Sequence, residues 1–282
     1  MASTTGLPRV LITGGLGQLG NRLARELRSR YGKNNVILSD VTKPSDAILA
    51  EGPYVYGDVL DMNQLRATVV NHNITWVVHY AALLSAIGEQ NPQKALQLGV
   101  YGFHNVLENH LYGVTKVHME LLGEYYHRRF GVDFRSLRFP GVLSADTPPG
   151  GGTTDYAVHI FHEVKKHGRY TCFLREDTRL PMIYIPDITK ATVSFLEAPD
   201  DRIRREGRTY NIQAVSFTPA ELSKELRKYY PNMRVDYQPD ALRQSIADSW
   251  PMVLDDSFAR EDWGWKHDYD LPAMVKDMVE KI

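Results

Sequence analysis

Pro8 to Gly20 reads P-R-V-L-I-T-G-G-L-G-Q-L-G, and this stretch decides the fold. Val10, Leu11 and Ile12 are a short apolar, largely β-branched run, the pattern of a strand buried on both faces. Gly14, Gly17 and Gly20 follow, and Asn21 to Arg30 then carries helical spacing through Leu23 and Leu27. Strand, glycine turn and helix opening are the parts of a dinucleotide site. The first glycine permits the tight turn, the second admits a pyrophosphate to the backbone, and the third lets helix and strand pack closely. The helix N-terminus offers unpaired N–H groups and partial positive charge to phosphates. A second run, Val36-Ile37-Leu38, ends in Ser39-Asp40, 20 residues beyond Gly20. A carboxylate there is placed to accept hydrogen bonds from ribose hydroxyls and to repel a 2′-phosphate, and no arginine flanks it. The expected ligand is therefore NAD rather than NADP.

The alternation continues downstream. Lys43 to Asp46 is a turn, Tyr54-Val55-Tyr56 a third strand leading to Gly57-Asp58-Val59, and Asp61 an N-cap for a helix through Leu65 and Val69. Ile74 to Tyr80 is a fourth strand, after which Ala81 and Ala82 leave room for a ligand. Ligands of parallel sheets gather at the carboxyl ends of strands, so Gly14, Asp40, Asp58 and Ala81 are expected to face one crevice. The fold class is α/β, a doubly wound parallel sheet (Rossmann fold) with a smaller C-terminal substrate lobe. The expected dinucleotide-binding domain is 1–149, with 180–215 returning to it, and the lobe comprises 150–179 and 216–282.

One irregularity interrupts the pattern. Asn91–Glu108 and Tyr112–Phe130 both have helical spacing, and only Asn109, His110 and Leu111 join them. A right-handed strand–helix–strand path needs a strand between these helices. A true deletion would remove the centre of the sheet, so a segment left out of the written sequence is the preferred explanation. Alternation resumes with a strand at 132–137. Beyond Pro140, a glycine-rich loop at 148–154 opens a helix over 155–167, followed by strands at 180–185 and 210–212. Thr218-Pro219-Ala220-Glu221 carries capping-box chemistry, and two helical pieces surround Trp263-Gly264-Trp265.

Composition narrows the function. The 282 residues carry 33 basic and 34 acidic side chains, so no nucleic-acid or membrane surface is indicated. No apolar run approaches a membrane span, and the chain is expected to be soluble. Cys172, the only cysteine, lies in an apolar run where burial is the natural reading. One cysteine excludes an internal disulfide and fits a reducing compartment. His162 to His167 has one residue too many for H-E-x-x-H, and no nucleophile elbow appears, so no metal site is expected.

Tyr112 and Lys116 stand at i and i+4, on one helix face. A phenol that titrates near pH 10 is no base at neutrality. An ammonium about 4 Å away is worth roughly 4 kcal/mol at intermediate dielectric, enough to bring the phenol toward neutral pH. Tyr112 then becomes a candidate base for a hydroxyl proton, with Lys116 as its activator.

These residues resemble the extended short-chain dehydrogenase/reductase (NAD-dependent epimerase/dehydratase) family, through G-G-L-G-Q-L-G, Asp40, Asp58-Val59, His79-Tyr80-Ala81-Ala82 and Tyr112 with Lys116. Y-G-V-T-K-V-H at 112–118, P-G-G-G-T-T-D-Y at 149–156, R-L-P-M-I-Y-I at 179–185, I-A-D-S-W-P at 246–251 and D-W-G-W-K-H-D at 262–268 are similar to its threonine-oxidising branch. The resemblance implies NAD-dependent oxidation of L-threonine at its Cβ hydroxyl to 2-amino-3-oxobutanoate, with Tyr112 as base and Lys116 lowering its pKa and holding the nicotinamide ribose. It implies cofactor contacts from Gly14, Gly15, Leu16, Gly17, Gln18, Leu19, Asp40, Asp58, Val59, Tyr80, Ala81, Ala82, Pro140 and Val142. Ser85, Thr153 and Thr154 are the candidates for the substrate's carboxylate and ammonium. A homodimer through the tyrosine helix is implied too, as is a mitochondrial matrix location by likeness to eukaryotic members, otherwise a cytoplasmic one. Two departures stand out. The strand bearing the family's catalytic Ser or Thr is missing after Glu108, and Gly99 replaces the usual Asn. The alternatives are a nucleotide-sugar epimerase or dehydratase, for which Arg179 and Arg243 could meet a diphosphate, and a non-catalytic NAD-binding protein if the strand is truly deleted.

Overall fold

The four residues of β1 (Val10–Thr13), three of them apolar, lie at the middle of a parallel sheet and are almost wholly shut off from solvent. The computed structural model describes residues 7–82, 111–146, 148–204 and 207–282. Among them two compact units form, one ending at Ala82 and one running from Tyr112 to Ile282.

In the first unit, β1 is followed by α1 (Gln18–Tyr31), β2 (Val36–Asp40), α2 (Asp46–Glu51), β3 (Tyr54–Tyr56), α3 (Met62–Asn71) and β4 (Trp76–His79). The sheet order is β3-β2-β1-β4, parallel throughout. This is the expected α/β pattern. Leu23, Ala24 and Leu27 form the buried stripe of α1. Arg28 is also buried, donating to the carbonyls of Val36 at 3.3 Å and Pro53 at 3.1 Å. Burial lowers its pKa. Asp61 caps α3 as expected, accepting from the Gln64 N–H at 3.0 Å. The expected turn at Lys43–Asp46 instead leads into α2, whose N-cap is Ser45. Among the described residues β4 pairs with β1 alone. The expected helix at 91–108 lies outside the described residues.

The second unit begins in α4 (Leu111–Phe130) and continues through β5 (Ser136–Arg138), β6 (Gly141–Leu143), a 3-10 turn at Thr153–Asp155, α5 (Tyr156–His167) and β7 (Arg169–Cys172). It proceeds through β8 (Leu180–Tyr184), α6 (Ile185–Glu197), β9 (Thr209–Asn211), β10 (Val215–Phe217), α7 (Pro219–Leu226) and β11 (Arg234–Tyr237), ending in α8 (Ala241–Asp248), α9 (Ser257–Trp263) and α10 (Leu271–Lys281). Three small sheets result: β5 with β9, β6 with β8 and β10, and β7 with β11. Tyr156, Phe161, Leu180, Leu222 and Met274 belong to one core. The capping box closes as read, with the Glu221 N–H donating to Thr218 Oγ1 and the Thr218 N–H donating to Glu221. Cys172 is buried.

The strand expected over 132–137 shrinks to Ser136–Arg138, because the preceding backbone is claimed by side chains. His127 Nδ1–H donates to the Val132 carbonyl at 2.7 Å, and Arg208 Nε–H donates to that of Phe134 at 2.7 Å. Arg208 is 1% exposed and also holds Asp133 and Asp200, each at 2.6 Å. A buried guanidinium of this kind survives only with its donors satisfied. Replacing it by Met is expected to cost about 2–3 kcal/mol, less than the ~3–5 of a fully buried pair, because both carboxylates are more than half exposed. The hydrogen bond from Arg208 lowers the Asp200 pKa. That contribution is complete above the ordinary carboxylate range and fades as pH falls through the lowered value. Urea unfolding of Arg208→Met across acidic pH should show both the loss and a shallower acid slope.

Candidate functional site

The carboxyl ends of β1, β2, β3 and β4 all point the same way, so the segments after Thr13, Asp40, Tyr56 and His79 share one rim. Gly14 turns the chain with φ +66°, and a Cβ there would stand 2.6 Å from the Ala81 nitrogen and the Tyr80 carbonyl carbon. The turn is closed by the Gly17 N–H donating to the Gly14 carbonyl at 3.1 Å. Gly20 packs its Cα against the same turn, leaving no space for a side chain. Leu16 lies within this turn, and Gln18 and Leu19 open α1. Gly17 is the N-cap, no side chain caps the helix, and no acid stands in its first turn. The leading N–H groups are thereby left for an anion.

Asp40 is pinned over this turn. Its Oδ2 accepts from the Leu16 N–H at 3.1 Å and its Oδ1 from the Thr42 N–H at 3.1 Å. The remaining lone pairs are available to hydroxyl donors. Tyr54 Oη–H reaches the Asp40 carbonyl at 2.6 Å, and the Gly57 N–H donates to the same carbonyl at 3.1 Å. These bonds tie the ends of β2 and β3 together. Asp58 accepts from the Leu60 N–H at 2.9 Å, while its own N–H donates to Gln64 at 3.0 Å, with Val59 between. Tyr80, Ala81 and Ala82 follow β4, and the Tyr80 N–H donates to the Thr13 carbonyl at 2.9 Å.

Two contacts at this rim have no signal in sequence spacing. Thr13 Oγ1 lies 2.7 Å from His79 Nδ1, across 66 residues, joining β1 to β4 where the turn begins. A Cβ at Gly57 would meet the Ser39 Oγ, so the serine hydroxyl would have to turn aside. A glycine after a strand was the only hint of the second.

In the other unit, Tyr112 and Lys116 stand four residues apart on the helical backbone of α4; their side chains lie outside the described residues. Pro140 precedes β6, and Val142 is its central residue. Thr153 is 1% exposed, and its Oγ1 has no hydrogen-bond partner among the described residues. Thr154 packs toward Gly141. Asp155 accepts from the N–H groups of Gly151 and Gly152 at 2.7 and 2.9 Å, which fixes the loop carrying both threonines. Arg179 pairs with Glu221 and donates to the Ser216 carbonyl at 2.6 Å. Arg243 lies over the Phe173 ring, 4.5 Å from its centroid. Ser85 and Gly99 lie outside the described residues.

The family model for the NAD dependent epimerase/dehydratase family matches residues 10–109 and 101–212. The chain belongs to this family. Among family relatives, the mitochondrial L-threonine 3-dehydrogenase of Bos taurus is 52% identical over 306 residues, covering 96% of this chain and 82% of that protein. The crystal structure of L-threonine dehydrogenase from Phytophthora infestans superposes with a TM-score of 0.89 at 45% identity, covering 97% and 99% of the two chains. The holo form of a GalE-like L-threonine dehydrogenase from Cupriavidus necator gives 0.90 at 40% identity, covering 97% and 99%. Of the 306 positions aligned with the bovine protein, 96% of a 282-residue chain fills about 271, so this family member is short by about 35 residues. The two stretches matched by the family model meet at 101–109, beside the expected missing strand.

The closeness of Gly14 to Tyr80–Ala81 gives the site its test. In Gly14→Ala, the left-handed backbone and the steric overlap together are expected to cost about 2–4 kcal/mol of stability. NAD affinity should fall at least about tenfold, since the phosphate-facing turn must shift. Thermal unfolding and calorimetric titration with NAD measure the two effects.

Proposed function

We infer that the chain is an NAD-dependent L-threonine 3-dehydrogenase, oxidising the Cβ hydroxyl of L-threonine to 2-amino-3-oxobutanoate. The observation that carries this reading is the 52% identity to a named L-threonine 3-dehydrogenase across 96% of the chain. The first unit fits the cofactor. Gly14 and Gly20 allow a close backbone approach that a Cβ would block, the α1 N-terminus is uncapped, and Asp40 is held with lone pairs to spare. The nucleotide-sugar alternative is less well served, because Arg179 is already engaged by Glu221.

NAD, when bound, supplies the hydride acceptor. Asp40 holds the adenosine ribose and disfavours a 2′-phosphate, while Gly15, Gly17, Leu16, Gln18 and Leu19 face the pyrophosphate. Asp58 and Val59 adjoin the adenine, and Tyr80, Ala81, Ala82, Pro140 and Val142 line the remaining cofactor wall. Tyr112 accepts the proton of the threonine hydroxyl, with Lys116 stabilising the phenolate. Thr153, Thr154 and Ser85 hold the substrate's charged ends; the unpartnered Thr153 hydroxyl supports this role. In this scheme, 1–149 with 180–215 binds the dinucleotide, and 150–179 with 216–282 forms the substrate lobe.

A homodimer through α4 accords with its exposed Val117, Leu121, Leu122, Tyr125, Tyr126 and Phe130, an apolar face beyond what a solvated helix carries. A mitochondrial location accords with the bovine relative's name. No described helix is long and apolar enough to cross a membrane.

The shortfall of about 35 residues favours a second reading, a non-catalytic NAD-binding protein, because the family's third catalytic hydroxyl belongs to the strand expected there. NADH formation from threonine separates the two. Under the dehydrogenase reading, Tyr112→Phe retains NAD binding and loses about 10²–10⁴-fold in turnover, and Asp40→Ser relaxes the preference for NAD. NAD binding by the wild type without any turnover of threonine would establish the non-catalytic reading.

A further inference from the structure

The second unit contains a cavity of about 480 Å³ between α5, β7, β11 and α8, within the range of roughly 300–1,000 Å³ typical of small-molecule sites. Thr153 and Thr154 do not line it. Pairing of β7 with β11 puts Thr171 beside Asp236, and helical spacing puts His159 and Glu163 on one face of α5. Arg169 comes from the start of β7, and Arg243 from α8.

Most of these groups are uncommitted. His159, Glu163, Arg169 and Asp236 make no side-chain hydrogen bond or ion pair among the described residues. The third carboxylate, Asp155, is taken up by the Gly151 and Gly152 amides. Tyr170 also lines the cavity and is 7% exposed, and its buried hydroxyl has no hydrogen-bond partner among the described residues. Burial raises its pKa, Cys172 and Glu163 add to that, and Arg243 opposes it, so the phenol remains a proton donor. A buried donor without an acceptor is a costly feature to keep.

We propose that this cavity binds a free α-amino acid as its zwitterion. Two guanidiniums, Arg169 and Arg243, line the cavity together with two uncommitted carboxylates, Glu163 and Asp236. A ligand carrying one carboxylate and one ammonium matches both signs. A polyphosphate would meet the carboxylates, and a polyamine the guanidiniums, so neither fits as well. The Phe173 ring lies 4.5 Å from the Arg243 guanidinium carbon, a contact that leaves the N–H donors open to a carboxylate. Because Gly151, Gly152 and Asp155 belong both to this cavity and to the loop carrying Thr153 and Thr154, occupancy also braces that loop.

Calorimetric titration of the intact chain with each L-α-amino acid other than threonine tests the site, with succinate and putrescine as single-sign controls. At least one amino acid should bind with 1:1 stoichiometry, and neither control should. Arg243→Met and Glu163→Gln should each weaken that binding by about tenfold or more. The proposal is overturned if no amino acid binds, if binding survives both variants, or if either control binds equally well. Threonine is omitted, so the result is independent of whether the chain turns threonine over.

Discussion

The backbone of Gly14 runs so close to that of Tyr80 and Ala81 that no side chain can be added between them. The architecture of the first unit follows from that approach. It requires β1 and β4 to be neighbours in a parallel sheet, which the ladder Val10↔Trp76 to Thr13↔His79 provides. It requires a left-handed turn after Thr13, which only glycine adopts at small cost. Thr13 and His79, bonded side chain to side chain, hold the two strand ends in step. Asp40 completes the rim by gripping the Leu16 amide, so carboxylate and glycine turn form one rigid object. Preorganisation of this kind removes ordering cost that a ligand would otherwise bear.

The second unit is held by different means. Besides its apolar core, it relies on charged groups that tie chain ends to strands. Arg208 joins the segment after α4 to the turn at Asp200–Arg202. Arg204 pairs with Asp262, which also accepts from Tyr210 Oη–H at 2.8 Å, so the C-terminal helices are moored to β9. Asp187 is buried at the start of α6 and accepts from the Asp268 and Tyr269 N–H groups. Burial raises its pKa, and the two amide hydrogen bonds oppose that rise. Asp155, accepting from the Gly151 and Gly152 amides, in the same way holds the loop carrying Thr153 and Thr154.

Against the bovine protein the chain is short by about 35 residues, and the two stretches matched by the family model meet at 101–109. In a doubly wound sheet the loss of a central strand would cost a ladder on each side. Among the described residues β4 pairs with β1 alone and β5 with β9 alone. On α4, the exposed Leu121, Tyr125 and Phe130 compound the effect, since an apolar helix face left in water is unfavourable. The glycine turn and Asp40 belong to the first unit, and Tyr112 and Lys116 to the second.

Local pattern alone determined the glycine turn, the acid after β2, the caps at Asp61 and Thr218 and the period of α1 and α5, because each is fixed by residues within a few positions of one another. The α/β class followed from the alternation of strand and helix periods. Sequence spacing did not give the pairing of Thr13 with His79, the closeness of Gly57 to Ser39, the curtailed strand before Arg138 or the short strands β6, β10 and β11. Those depend on partners dozens of residues away, whose side chains compete for the same backbone groups. Arg208 is the clearest instance. In the sequence it is one of 33 basic residues, and only the tertiary structure buries it against Phe134, Asp133 and Asp200. The balanced charges of the α5–β7–β11 cavity were invisible for the same reason: its walls come from four separate elements, and charge complementarity exists only once folding brings them together.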